Sequence, residues 1–131
     1  YKAFKFHESL VMGGSDTLSV LIDFARLGLP LGELDAAKRA LERVLAQAPE
    51  MPTALMLMGE YHLRKQDPAK GIPMLRQALD HNPSLVDCYR LMSEHAPGSL
   101  TDADRAALTE LGENPALSSR MRGKAAALAR R

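Results

Sequence analysis

The residues of this chain best suited to metal binding or nucleophilic chemistry are four histidines and one cysteine. Two histidines can share a metal ion when they lie four residues apart on a helix, and a cysteine-based zinc cluster needs several thiolates. No two histidines have that spacing, and Cys88 has no second cysteine with which to ligate a metal. A reactive thiol would also need a nearby cation or a helix N-terminus, and Arg90 alone is weak support for one. The histidines are His7, His62, His81 and His95.

Serine, glycine and lysine form no catalytic or phosphate-binding motif in this sequence. The string Gly13-Gly14-Ser15 resembles part of a phosphate-binding loop, but no lysine follows it at the required distance and no strand is expected before it. The serines lack the flanking glycines of a hydrolase nucleophile elbow. We therefore predict no catalytic residue, no metal site and no cofactor, and we expect a protein that is not itself an enzyme.

Composition and charge argue against further classes of function. The net charge of +1 gives no reason to expect a nucleic-acid partner. No apolar stretch approaches the roughly 18 uninterrupted residues of a membrane-spanning helix, so membrane insertion is not expected. A single cysteine cannot form an intramolecular disulfide, which suits a reducing compartment and favours a cytoplasmic location. Tyr1 stands where an initiator methionine would be expected, so we expect the chain to be a fragment of a longer protein.

A 34-residue period organises the middle of the chain. Pro49 and Pro83 have this separation, and residues ahead of them recur at the same distance with their size class preserved. The recurring pairs are Leu21/Leu55, Phe24/Met58, Ala25/Gly59, Ala37/Gly71, Leu41/Leu75 and Leu45/Leu79. Apolar residues at helical spacings predict two amphipathic helices in each copy. Helix pairs that recur at this period cannot bury their apolar sides alone, so the copies must stack.

This pattern resembles the tetratricopeptide repeat family, whose signature is two antiparallel helices with large and small residues at fixed places and a terminal proline. The best copy consists of Leu55, Met58, Gly59, His62, Gly71, Leu75, Ala78 and Pro83. The first copy departs from the signature at Gly28, where a bulky residue is expected, and at Val44, where a small one is expected. Gly59 and its counterpart Ala25 are small where the helices of one hairpin must approach closely. The resemblance implies an all-α fold, a right-handed superhelical stack of antiparallel helix hairpins known as an α-solenoid.

The repeat divides the chain into three predicted regions. These are a leading helix and cap at 1–17, repeats at 18–96 (18–51, 52–85 and a partial copy at 86–96), and a degenerate repeat with a trailing helix at 97–131. Ser15, Asp16 or Thr17 is expected to cap the first repeat helix. Thr101 with Asp104 predicts a capping box at the start of a later helix.

The resemblance also implies where a partner would bind, because the first helix of each pair lines a concave groove in this family. The corresponding residues combine both charges with apolar side chains, a mixture suited to an amphipathic helix or an extended peptide. We therefore expect a non-enzymatic protein–protein interaction scaffold with a protein or peptide partner. The predicted groove residues are Ile22, Asp23, Arg26, Thr53, Met56, Leu57, Glu60, Arg64, Asp87, Arg90 and Glu94.

The end of the chain leaves an alternative open. Residues 99–105, followed by a basic, alanine-rich helix, resemble a segment of bacterial proteins that fuse these repeats to a sulfotransferase domain. The alternative is therefore the N-terminal repeat region of a larger bacterial enzyme such as a sulfotransferase, with the catalytic domain absent from this chain. The final helix also has Ala125, Leu128 and Ala129 on one side with no predicted neighbour, so weak self-association through this helix is expected. Its basic residues form either a solvated face or a docking surface; they are Arg120, Arg122, Lys124, Arg130 and Arg131.

Overall fold

The computed structural model describes residues 1–14 and 17–131, and across these ranges it contains eight α-helices and no strand. The predicted all-α class is confirmed. Ser15 and Asp16 lie outside the described residues. Thr17 occupies the N-cap position of the second helix, but its side chain makes no capping hydrogen bond there. The chain forms two compact units, Tyr1–His81 and Asn82–Arg131. The helices are α1 Lys2–Met12, α2 Leu18–Leu31, α3 Leu34–Gln47, α4 Pro52–Arg64, α5 Pro68–His81, α6 Val86–His95, α7 Asp102–Glu113 and α8 Ser119–Ala129.

Helix α2 ends in a turn that redirects the chain into α3. Gly32 adopts a left-handed φ of 85°. The Glu33 N–H donates to the carbonyl of Gly28 at 3.0 Å, and the Gly32 N–H donates to that of Leu29 at 3.1 Å. This pair of hydrogen bonds is a Schellman motif, which satisfies carbonyls that a helix C-terminus otherwise leaves without donors.

The same turn recurs 34 residues later, between α4 and α5. Gln66 occupies the position of Gly32 and also has a left-handed backbone, with φ of 60°. The Asp67 N–H donates to the carbonyl of His62 at 2.8 Å, and the Gln66 N–H donates to that of Leu63 at 2.9 Å. A left-handed conformation costs a residue with a side chain about 1–2 kcal/mol. The second hairpin therefore makes the same turn as the first at a higher conformational cost.

Replacing Gln66 with glycine should stabilise the first unit. We expect Gln66→Gly to raise the free energy of unfolding by up to about 1 kcal/mol, because glycine adopts the left-handed conformation without strain. The reverse change at the matching position, Gly32→Gln, should lower it by a similar amount. Urea unfolding followed by circular dichroism measures both. A Gln66→Gly chain that is less stable than the unaltered protein would contradict the prediction.

Helices α4 and α5 approach each other most closely at a pair of glycines. A Cβ atom added to Gly71 would lie 2.9 Å from the carbonyl oxygen of Gly59, and one added to Gly59 would lie 2.9 Å from the Leu75 side chain. Neither position has room for a side chain unless the helices move apart. The predicted close approach at Gly59 is confirmed, and the packing requires glycine at the recurring small position Gly71 as well.

Adding a methyl group at this contact should destabilise the fold. We expect Gly71→Ala to lower the free energy of unfolding by about 1–3 kcal/mol, the usual effect of overpacking. The matched control is Gly123→Ala in α8, where an added Cβ would have no heavy atom within 4 Å. That change should stabilise its helix by roughly 0.5–1 kcal/mol, because alanine favours helix more than glycine does. Equal effects in thermal unfolding would mean that the glycine contact does not limit the packing.

Helix α1 supplies the bulk that the first repeat lacks at Gly28. Phe4 of α1 is only 1% exposed. Its ring stacks on Phe24 of α2 with the centroids 5.0 Å apart. A Cβ added to Gly28 would lie 2.9 Å from a carbon of the Phe4 ring. A residue from outside the 34-residue period therefore occupies the space next to Gly28, the position at which the sequence resemblance predicted a large side chain.

The second unit consists of α6, α7 and α8, and α8 contacts both of the others. The predicted capping box is confirmed: the Asp104 N–H donates to Thr101 Oγ1 at 3.1 Å, and the Thr101 N–H donates to Asp104 Oδ2 at 2.9 Å. Ala125 and Leu128 of α8 are 0% and 4% exposed. The prediction that these residues form an open apolar flank is wrong, because α8 packs against α6 and α7. Ala125 and Leu128 are therefore not available for contact with a second copy of the chain.

Candidate functional site

The predicted groove residues are distributed over both compact units. Those of α2 and α4 belong to the first unit, where these two helices contact each other. Those of α6, namely Asp87, Arg90 and Glu94, belong to the second unit. We use the name α2–α4 face for the predicted residues of the first unit that are at least partly exposed: Ile22, Asp23, Arg26, Thr53 and Arg64.

Three predicted groove residues of α4 are buried. Met56, Leu57 and Glu60 are 9%, 2% and 7% exposed. Their predicted exposure is wrong, because α4 is the central helix of the first unit and contacts α2, α3 and α5. A ligand on this side of α4 would therefore meet the ends of the helix, at Thr53 and Arg64, rather than its middle.

The charged residues of the α2–α4 face are paired. The Arg26 guanidinium donates to the Asp23 carboxylate one turn away, and the His7 ring of α1 lies 3.7 Å from that carboxylate. On α4, Arg64 Nε donates to Glu60 Oε2 at 2.8 Å. Ion pairs at the surface of a protein contribute only about 0–1 kcal/mol each. Since the Arg26 side chain is 59% exposed, an incoming carboxylate could replace Asp23 as its partner at little energetic cost.

In the second unit the predicted groove residues form a network that joins α6 to α8. Arg90 Nε lies 3.1 Å from Asp87 Oδ1, and Arg90 Nη1 lies 3.0 Å from Glu94 Oε2. Lys124 of α8 donates to the same Asp87 oxygen at 2.8 Å. Burial by itself would raise the pKa of Asp87, but hydrogen bonds from Lys124 and Arg90 outweigh it and hold this pKa below its usual value. These residues therefore have a structural role within the second unit.

Because of this network, the stability of the second unit should decrease as the pH falls. A carboxylate whose pKa is lowered in the folded state stabilises the fold above its unfolded pKa, which is about 3.9 for aspartate. That contribution is lost as the pH falls through the folded pKa. We therefore expect Asp87→Asn to reduce the difference in unfolding free energy between pH 7 and pH 3, as measured in urea by circular dichroism.

Asp102→Asn is the matched control for this measurement. The Asp102 side chain is fully exposed and pairs only with Arg105 of its own helix among the described residues. The Asp102→Asn substitution should leave the difference in unfolding free energy between pH 7 and pH 3 almost unchanged. If both asparagine variants showed the same acid dependence as the unaltered chain, the Asp87 network would not stabilise the unit.

The cysteine is chemically protected by the fold. Cys88 of α6 is 0% exposed. Burial, together with the nearby negative charge of Asp87, raises the pKa of the Cys88 thiol to about 12. Because the thiolate is the nucleophilic and metal-binding form, Cys88 is unreactive at neutral pH.

The lysines of the first unit include three that sequence analysis did not single out. Lys38, Lys65 and Lys70 line a cavity of about 260 Å³ together with Tyr61, His62 and Asp67. We call this site the lysine pocket. Its residues come from α3, from the end of α4 and from the start of α5. Lys65 and Lys70 are only five residues apart, but Lys38 lies 27 residues before Lys65. No local spacing could therefore have placed Lys38 in the cluster; the packing of α3 against the second hairpin brings it there.

Comparisons with known proteins assign neither a family nor a function to this chain. The chain matches no protein-family model, no curated protein and no solved structure. Within residues 1–14 and 17–131, no three histidine, cysteine or carboxylate side chains converge as metal ligands. Over the same residues, no helix has the length and apolar character needed to cross a membrane.

Proposed function

We propose that this chain is a tetratricopeptide-like repeat scaffold that binds a protein partner, as a peptide or a helix, on the α2–α4 face. The observation that carries the proposal is the recurrence of one turn at a distance of 34 residues. Gly32 and Gln66 end α2 and α4 with the same pair of hydrogen bonds. Two copies of one hairpin must stack to bury their apolar sides. This recurrence supports the right-handed stack of hairpins that the sequence resemblance implies.

The chemistry of the α2–α4 face favours a peptide that carries both apolar and acidic groups. Ile22 offers a partly exposed apolar contact, and Arg26 and Arg64 are cations whose present partners lie on their own helices. Amphipathic helices bind through apolar anchors at helical spacing, and charges at the rim of an interface add specificity and speed of association. A peptide with a leucine or similar apolar side chain next to a carboxylate could contact Ile22 and one of the two arginines.

In this role the chain positions a partner and performs no chemistry itself. The sequence of the complete gene distinguishes this role from the alternative, in which the chain is the repeat region of a larger bacterial enzyme. A sulfate-donor-binding loop downstream of Arg131 would favour the sulfotransferase alternative, whereas further repeats or a stop codon would favour the scaffold.

Selection from a library of random peptides displayed on phage tests the proposal without knowledge of the natural partner. We expect the selected peptides to combine apolar and acidic residues and to shift the amide resonances of Ile22 and Thr53 in NMR spectra. Arg26→Glu and Arg64→Glu should each weaken binding about tenfold, because each reverses a charge at the contact.

The control is Arg39→Glu, which reverses the charge of an exposed residue on α3. It should leave the affinity for the selected peptides nearly unchanged. Peptides that bind equally well to all three variants, or that shift only resonances of other helices, would overturn the proposed binding face.

A further inference from the structure

The lysine pocket has a local excess of positive charge that the net charge of the chain does not reveal. Lys38, Lys65 and Lys70 contribute three ammonium groups, and among the described residues Asp67 contributes the only carboxylate lining the pocket. Within residues 1–14 and 17–131, neither Lys38 nor Lys65 has a carboxylate within ion-pair distance; the one ion pair of the pocket joins Lys70 Nζ to Asp67 Oδ2 at 3.9 Å. The pocket therefore has a surplus of two positive charges when His62 is neutral.

The carboxylate of Asp67 is further engaged by the backbone. Its Oδ1 accepts a hydrogen bond from the Lys70 N–H at 3.3 Å, at the start of α5. Asp67 thus neutralises part of the positive end of the α5 dipole, and the charges of Lys38 and Lys65 remain uncompensated. An anion entering the cavity would meet lysine side chains contributed by α3, by the turn after α4 and by α5.

The ring of Tyr61 contacts one of the lysines and the histidine of the pocket. Lys38 is half-buried, and its Nζ lies 5.7 Å from the centre of the Tyr61 ring. The Tyr61 and His62 rings meet edge to face with centroids 5.0 Å apart. Cation–π and edge-to-face contacts have specific geometry, so they limit the positions that the ammonium and imidazole groups can take. Lys38 and His62 are consequently more constrained than the exposed side chains of Lys65 and Lys70.

The imidazole of His62 responds to the charge around it. Burial lowers the pKa of His62, and the ammonium groups of Lys70 and Lys38 lower it further, against an opposite effect from Asp67. His62 is therefore neutral at pH 7, and a bound anion would raise its pKa by offsetting the lysine charges. This makes the histidine a built-in reporter of anion binding.

We propose that the lysine pocket binds a phosphate monoester, with Lys38, Lys65 and Lys70 as the charged contacts and His62 beside them. The charge surplus of the pocket matches a dianion better than a single carboxylate. Phosphate oxygens accept several charge-assisted hydrogen bonds at once, and lysine is a common ligand for them. The site uses residues outside the α2–α4 face, so it adds a second binding activity to the proposed scaffold.

NMR titration at pH 7 with O-phosphoserine and, separately, with ribose 5-phosphate tests the proposal. We expect saturable shifts at His62 and Tyr61 and an increase in the His62 pKa, with the exposed His81 ring as an internal reference that does not change. Tighter binding of phosphoserine would indicate a phosphorylated protein partner, and tighter binding of ribose 5-phosphate a nucleotide or sugar phosphate. Loss of peptide binding at the α2–α4 face would leave this result unaffected, because the two sites share no residue.

Substitutions of the pocket lysines test whether these residues bind the phosphate group. The double change Lys38→Met with Lys65→Met should weaken phosphoserine binding about tenfold or more, because it removes two charge-assisted contacts. Lys65→Arg should retain most of the affinity, since it keeps the charge. Lys2→Met, which removes an exposed lysine on α1, is the control and should change nothing.

Two results would overturn the proposal. One is the absence of a saturable shift at His62 with either ligand. The other is an equal loss of affinity in Lys2→Met and in the double variant, which would indicate nonspecific attraction to a basic surface. Circular dichroism of each variant checks that the helices are retained, as expected for substitutions at side chains that line an open cavity.

Discussion

The backbone contact between Gly59 and Gly71 is the constraint on which the first unit depends. Because neither glycine has a side chain, α4 and α5 come close enough for Leu63 and Leu75 to fill the space around the contact, where they are 4% and 0% exposed. This packing fixes the position of α4, the helix that also contacts α2 and α3. Both proposed binding surfaces use α4, the α2–α4 face through Thr53 and Arg64 and the lysine pocket through its C-terminal end. A shift of this one helix would disturb both surfaces.

The first unit has two surfaces that differ in net charge, the α2–α4 face and the lysine pocket. On the α2–α4 face each arginine has an acidic partner on its own helix, so the face is nearly neutral. The exposed Arg26–Asp23 pair can be exchanged for a pair with a ligand, whereas Glu60, the partner of Arg64, is buried. In the lysine pocket, Asp67 is the one carboxylate among the described lining residues, and within residues 1–14 and 17–131 Lys38 and Lys65 have no ion-pair partner. A net charge of +1 for the whole chain therefore averages over regions with different preferences. The neutral face suits a mixed apolar and acidic peptide, and the pocket suits a compact anion.

The sequence predicted those parts of the fold that depend on local chemistry. Thr101 and Asp104 cap α7 as expected, because a capping box involves only residues three apart. The 34-residue period correctly predicted that two helices approach each other closely at Gly59. It could not show that Phe4 fills the space beside Gly28, because Phe4 lies outside the period and only packing brings it there. Periodicity likewise marks the side of α4 that faces its hairpin partner, but it does not reveal that α4 contacts three helices and buries Glu60.

The enclosure of Cys88 has a practical consequence for spectroscopy. Maleimide and methanethiosulfonate reagents react with thiolates, and the buried thiol of Cys88 is almost entirely protonated at neutral pH. A cysteine introduced at an exposed position such as Met12 or Gly123 would therefore be modified selectively in the native chain. Spin labels or fluorophores placed in pairs could then report distances between helices while the native cysteine remains in place, so that the packing around α6 is not altered by the measurement.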